Sequence, residues 1–180
     1  GWLRLSEHRW VHFGERRRGD AVEYAAWLTD QERREGNTPS CYIFDLPGEA
    51  EWIAIAQCGD GRKFPWGNSM PPLYGNYSDS IHDRYGYSDG YKYTAPADKS
   101  GKNNLGLYGV GGNVMEWTST SCQNEYGGNR MKAKGGSYLT DEGSASQGYN
   151  SLQCDVFWQK IPSDKDRDTG FRLVLGCENY

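Results

Sequence analysis

The chain has 180 residues, is 36% hydrophobic and carries 24 glycines, 13 tyrosines and 7 tryptophans. That length suits one domain with a real core; the composition makes the core aromatic and the chain rich in loops. The net charge is -4 with both signs interspersed, which excludes the basic stripe of a general nucleic-acid binder. Arg16, Arg17 and Arg18 form the one basic run and read as solvated surface. No run of about 18 apolar residues occurs, so the sequence predicts no membrane span. The cysteines at 41, 58, 122, 154 and 177 match no zinc spacing and contain no CxxC. Their odd number leaves at least one thiol free or in an intermolecular bond.

The first predicted element is a helix over residues 20–35. Ala21, Val22, Ala25 and Leu28, with Tyr24 beside them, form one apolar stripe at helical spacing. Asp20 followed by Glu23 is a variant of the capping box, and Gly36 and Asn37 stop the helix. CYIFDL at 41–46 alternates like a strand. Pro47 and Gly48 then open a second helix at 49–58, whose expected stripe is Ala50, Ile53, Ala54 and Gln57 with Trp52 beside it. From 59 to 105 the chain is Gly, Pro, Asp, Asn, Ser and Tyr without periodicity. A coil that long in a small domain is functional or pinned, often by a metal. Short strands are expected at 114–118, 132–139 and 170–175. Helices first and strands later give an α+β pattern, not alternating βαβ.

Six phrases then stand in order: LPGEAEW (46–52), FPWGN (64–68), DGYKYTAP (89–96), GLYGVGGNVMEW (106–117), KGGSY (134–138) and TGFRLVL (169–175). Together they resemble the domain of formylglycine-generating enzymes and of sulfatase-modifying-factor-like relatives, over residues 19–175. The resemblance implies a C-type-lectin-like α+β fold, with a small antiparallel sheet, two helices and extensive irregular structure. It implies one domain over 1–180, whose N-terminal family strands are missing or reduced here, and leaves room for an upstream domain or partner chain. Trp52, Trp66, Trp117, Gly135, Gly136, Phe171 and Arg172 read as residues that hold the fold, Arg172 by fixing a loop through carbonyl or carboxylate contacts.

Family enzymes oxidise a substrate cysteine with copper held by two thiolates just after the GGSY phrase, and soft thiolates suit Cu(I). The matching positions here are Thr140 and, near the second, Ala145. Neither supplies a thiolate, so no copper is expected. Cys154 lies past the register and reads as a small packed hydrophobe. An iron-dependent branch uses histidines, and this chain offers His8, His12 and His82. His8 and His12 are at i, i+4 but lack a matched carboxylate, and surface or interface histidines are the plainer reading.

The resemblance also implies a structural Ca2+ held by Asn76, Tyr77, Asp89 and Tyr91, through side-chain and carbonyl oxygens of the kind calcium requires. The alternative is that these residues only make Asx-turns. A second family calcium position would use Glu116, but Gly109 stands where its asparagine belongs. Glu116 would then accept backbone N–H bonds from the glycine turn.

The segment after GGSY lines the active-site groove of the family enzymes. Here, over 138–169, it is rich in Tyr, Ser, Asp, Gly and Asn, as a paratope is. Tyr138, Thr140, Asp141, Ser144, Ser146, Tyr149, Asn150, Asp155, Phe157 and Trp158 are the expected binding residues for a protein or small ligand. Variable proteins of diversity-generating retroelements share this fold and diversify the same stretch. The alternatives are a drifted surface loop, a family oxidoreductase with copper- or iron-dependent thiol chemistry, and a structural module of a larger assembly. A secreted or cell-surface setting and a bacterial or phage-like origin are expected.

Overall fold

Helix α1 (Arg18–Arg34) begins where the Arg17 N–H can donate to the Asp20 carboxylate, at 3.1 Å, in the computed structural model, which describes residues 17–70, 72–141 and 151–177. Asp20 therefore acts from the third helical position, not as the cap. The buried face is Ala21, Ala25 and Thr29, while Val22 turns outward. Thr29 extends the stripe because its hydroxyl has partners on both sides. It donates to Ala25 O at 2.9 Å and accepts from the Phe44 N–H at 2.9 Å. The second bond ties α1 to strand β1 (Tyr42–Asp45).

Helix α2 (Glu49–Ala56) starts at Gly48, whose N–H donates to the Glu51 carboxylate at 2.7 Å. Its buried face is Trp52, Ile55 and Ala56; Ala50 and Ala54 are exposed. The expected stripe is thus out of phase. The face is set by the largest side chain, Trp52, and burying that indole turns the small alanines outward.

The coil after α2 contains a third helix, α3 (Asp79–Tyr85), which the sequence did not suggest. Its seven residues are mostly polar, and Ile81 is their one buried anchor. Gly86 ends it in the left-handed region at φ 65°.

The main sheet holds β2 (Met115–Gln123), β3 (Asn129–Lys134), β4 (Phe157–Lys160) and β5 (Thr169–Gly170), in the order β4-β3-β2-β5. β2–β3 and β3–β4 are antiparallel, while β2–β5 is parallel, so the sheet is mixed. A second sheet pairs β1 with β6 (Val174–Cys177). The expected strand at 132–139 stops at Lys134, because Gly135 takes φ 78°. The expected strand at 170–175 is split into β5 and β6, with Arg172 between them.

The core is aromatic and falls into three clusters. Trp52 packs with Ile55, Ala56, Val110 and Cys154. Phe64 and Trp66 stack at 5.0 Å and pack with Tyr77, Ile81 and Leu152. Trp117 packs with Ala21, Leu46 and Met131. Among the described residues no helix is long and apolar enough to cross a membrane.

Candidate functional site

Two glycine phrases build the frame of the site. The Gly136 N–H donates to Gly111 O at 3.0 Å, and the Tyr138 N–H to Asn113 O at 3.0 Å. A Cβ on Gly136 would come within 2.7 Å of Leu152 Cδ2 and 3.2 Å of Gly111 O, so any side chain there would force the buried Leu152 to move. Beside this joint, Ser137 Oγ donates to Asp168 Oδ2 at 3.1 Å.

Behind the frame lies the carboxylate of Glu116, on β2. Arg172 donates to it twice, Nε to Oε2 at 2.6 Å and Nη2 to Oε1 at 2.7 Å. Trp52 Nε1 donates to the same Oε2 at 2.6 Å, and Arg172 Nη2 also reaches Tyr108 O at 3.1 Å. Arg172 thus fixes a loop through both carboxylate and carbonyl, as expected. The partners of Glu116 differ from expectation. They are side chains distant in sequence, not N–H groups of the glycine turn. Both oxygens are engaged by strong, charge-assisted bonds, so this acid ties α2, β2 and the segment of Arg172 into a structural knot.

The cradle in the long coil is built differently. Asn76 is fully buried; its Nδ2 donates to Tyr93 O at 2.6 Å and to Asn113 Oδ1 at 3.2 Å. Asp89 Oδ1 accepts the Tyr91 N–H at 3.0 Å, which is an Asx-turn. Yet Asn76 Oδ1 and Asp89 Oδ2 are buried with no hydrogen-bond partner among the described residues, as are Tyr77 OH and His82 Nε2. A buried polar group without a partner costs on the order of 1–3 kcal/mol. Two oxygen acceptors in that state fit a hard cation. No group of three or more His, Cys, Asp or Glu that could hold a metal occurs among the described residues. A cation here would therefore need amide and carbonyl oxygens. Tyr87 closes the cradle, its hydroxyl donating to Gly75 O at 2.5 Å. Burial, reinforced by Asp89, pushes the Tyr87 phenol up to about 12.

The expected binding residues are placed unevenly. Tyr138 is buried, its ring edge-on to Tyr93 at 6.2 Å. Thr140 is also buried, its Oγ1 accepting the Ser137 N–H at 2.9 Å. Asp141 is half-buried and Asp155 exposed. Phe157 and Trp158 are half-buried on β4, a strand that loop-like composition concealed. The Lys132 ammonium lies 4.1 Å from the Phe157 ring centre, and Trp158 Nε1 donates to Gly135 O at 3.1 Å. Ser144, Ala145, Ser146, Tyr149 and Asn150 lie outside the described residues, as do His8 and His12. Tyr93 and Leu139 are 64% and 44% exposed and were not singled out from the sequence. Their signal was an apolar side chain in or beside a family phrase, facing water.

Cys154 is fully buried, and burial pushes its thiol up to about 12. It is a packed side chain rather than a nucleophile. Lys134 beside it is also fully buried, with Nζ 3.6 Å from Glu49 Oε1.

A short mixed sheet, irregular frame and buried arginine–carboxylate–indole knot define a C-type-lectin-like scaffold of the formylglycine-generating-enzyme kind. The chain belongs to the family of the sulfatase-modifying factor enzyme 1-like domain, which matches residues 18–176. It is 31% identical to the formylglycine-generating enzyme of Mus musculus over 173 residues, which is 86% of this chain and 41% of that enzyme. It is 33% identical to the inactive C-alpha-formylglycine-generating enzyme 2 of Mus musculus over 159 residues, covering 86% of this chain and 46% of that protein. The chain thus spans less than half the length of these two relatives. Variable protein 1 of Treponema denticola has the same fold, with TM-score 0.63, 21% identity, and coverage of 92% of this chain and 70% of that one.

Proposed function

We propose that this chain is a non-catalytic binding domain that takes a protein or small ligand through the surface of residues 138–169. One observation carries the reading. Thr140, at the first thiolate position of the family enzymes, is buried and hydrogen-bonded within its own turn. A hydroxyl held in this way neither binds Cu(I) nor attacks a thiol. The nearest thiol in sequence, Cys154, is buried and hard to ionise. The family also includes a relative named as inactive. In this reading Tyr93, Leu139, Asp155 and the edges of Phe157 and Trp158 supply contact area. The stretch is then a natural target for genetic diversification, as the name of the Treponema protein suggests for that protein.

The same proposal gives the coil a structural calcium ion, held by Asn76 Oδ1, Asp89 and the carbonyls of Tyr77 and Tyr91. The orphaned oxygens of Asn76 and Asp89 support it. The ion would supply positive charge that neutralises a buried carboxylate and orders the loop. Asn113 and Tyr87 hold the surrounding backbone.

The test is a ligand pull-down with the intact chain against one whose residues 140–160 are scrambled. A partner captured equally by both overturns the reading.

A further inference from the structure

Two thiols meet where the smaller sheet closes. In its antiparallel register Tyr42 of β1 stands opposite Cys177, the last residue of β6, and Cys41 is the residue before Tyr42. Directly opposed Cα atoms lie about 5 Å apart and successive ones about 3.4 Å along a strand, which puts Cys41 and Cys177 about 6 Å apart on the diagonal. A disulfide bridges Cα atoms roughly 4.4–6.8 Å apart. Cys41 lies in the turn that precedes β1, so strand alternation does not send its side chain to the other face. The two thiols are hydrogen-bonded to each other, and this contact, with burial behind it, raises the Cys41 thiol above its ordinary value.

Both residues are half-buried and carry free thiols, so a small reagent can reach them. Arg33 of α1 stands beside the pair. Its Nη2 donates to Ser40 O at 2.7 Å and to Tyr42 O at 3.1 Å, on either side of Cys41, and its charge favours a Cys41 thiolate. The thiolate is the form that attacks a disulfide. The other cysteines are placed differently. Cys154 is fully buried. Cys58 Sγ turns to carbonyls of its own helix, Ile55 O and Ala56 O, each at 3.9 Å. Cys122 has Lys132, Glu49 and Arg130 as its charged neighbours.

We propose that Cys41 and Cys177 form a reversible disulfide that staples β6 to β1. The oxidant is a low-molecular-weight disulfide. The Cys41 thiolate attacks one of its sulfurs, a mixed disulfide forms and one small thiol leaves. Cys177 gives up its proton, displaces the second small thiol and closes the bond within the protein. The protein loses two electrons and two protons, and the small disulfide becomes two thiols. The consequence is mechanical. Among the described residues β6 has β1 as its one partner strand, and a two-stranded ribbon is marginal by itself. β6 also follows directly on the segment that carries Arg172. A bond from 41 to 177 closes a ring around most of the domain, and the stabilisation from a cross-link grows with the ring it closes.

The intact chain is equilibrated with reduced and oxidised glutathione, alkylated to trap the free thiols, and digested for mass spectrometry. The expected product is a peptide pair linked through Cys41 and Cys177, with two of the five thiols lost. The melting temperature should rise by at least about 5 °C on oxidation and fall back with dithiothreitol. Cys41→Ser and Cys177→Ser should each remove both the link and the rise, while their reduced forms melt near the reduced wild type. Cys122→Ser should keep both. A link to another cysteine, a glutathione adduct that persists on Cys41 of the wild type, or no oxidation of the pair overturns the proposal. A Cys41–Cys177 link that leaves the melting temperature unchanged overturns it as well, because the bond then staples nothing.

Discussion

Arg172 and Glu116 face each other through two parallel hydrogen bonds of 2.6 and 2.7 Å, with both side chains 5% exposed. The pair joins the segment between β5 and β6 to the central strand β2. Its geometry satisfies the condition under which a buried ion pair repays its desolvation, because the remaining lone pairs also find donors. Trp52 brings α2 into the same contact.

Removing one partner leaves a buried charge alone. Arg172→Ala is expected to cost roughly 3–5 kcal/mol in urea unfolding. Arg172→Lys should recover only part of this, since an ammonium cannot reproduce the paired fork. The double variant Arg172→Met with Glu116→Leu should lose less than Arg172→Ala alone. A double variant worse than the single one would show that the pair contributes more than charge compensation.

Trp52→Phe keeps most of the ring and removes the indole donor to Glu116. The loss expected is about 1–3 kcal/mol, from one charged hydrogen bond and a partly unmet carboxylate. Trp52→Ala should cost more, about 3–5 kcal/mol, because it also opens a cavity. A Trp52→Phe variant as stable as the wild type in chemical denaturation would mean the Nε1 bond carries little, and equal losses for the two variants would mean that it carries nearly the whole effect.

Calcium chelation should lower the melting temperature of the wild-type chain, and Asp89→Ala should abolish that sensitivity while lowering the starting value. Differential scanning calorimetry with and without chelator reads both. A wild type indifferent to chelator would leave the orphaned oxygens of Asn76 and Asp89 without a cation.

Lys134 gives a pH signature. Burial, outweighing Glu49, lowers its folded-state value below the ordinary 10.5. In the window between the lowered value and 10.5, the unfolded chain binds more protons, so stability from this group rises with pH. Below that window the cost of burying the charged amine is felt in full. Lys134→Met should therefore equal or exceed wild-type stability at neutral pH, and its advantage should shrink as pH rises towards 10.5. Denaturation midpoints of the two proteins across that range decide it. A gap that widens with pH would reverse the sign.

Asp155 and Tyr93 are exposed, so Asp155→Ala and Tyr93→Ala are expected to weaken capture of a partner with the melting temperature nearly unchanged. Trp158→Ala should weaken capture and also cost stability, because its indole holds Gly135 O.

Much of the scaffold could be read from sequence. The α1 helix, β1, α2 and the six phrases were visible because periodicity and special glycines are local properties. The phase of α2 was not, since small alanines and a large indole compete for the same face and only packing decides. The α3 helix escaped because it has a single apolar anchor. The β4 strand was hidden by a composition suited equally to a loop. Arg172 could be recognised as a fixing residue, but its bond to Glu116 spans 56 positions and no local pattern encodes it. The calcium residues came from resemblance, and their unpaired atoms appear only when Asn76 and Asp89 are buried in three dimensions.

The contact of Ser137 with Asp168 has a consequence for how this surface can change. It clasps the two ends of the excursion that begins at Tyr138 and returns at β5. With its ends held, lengthening such an excursion costs only about 0.6 kcal/mol per doubling. That tolerance does not extend to Leu152 and Cys154, which pack in the core, or to β4, which pairs with β3, so the clasp and these anchors together fix the path on which added length can be carried.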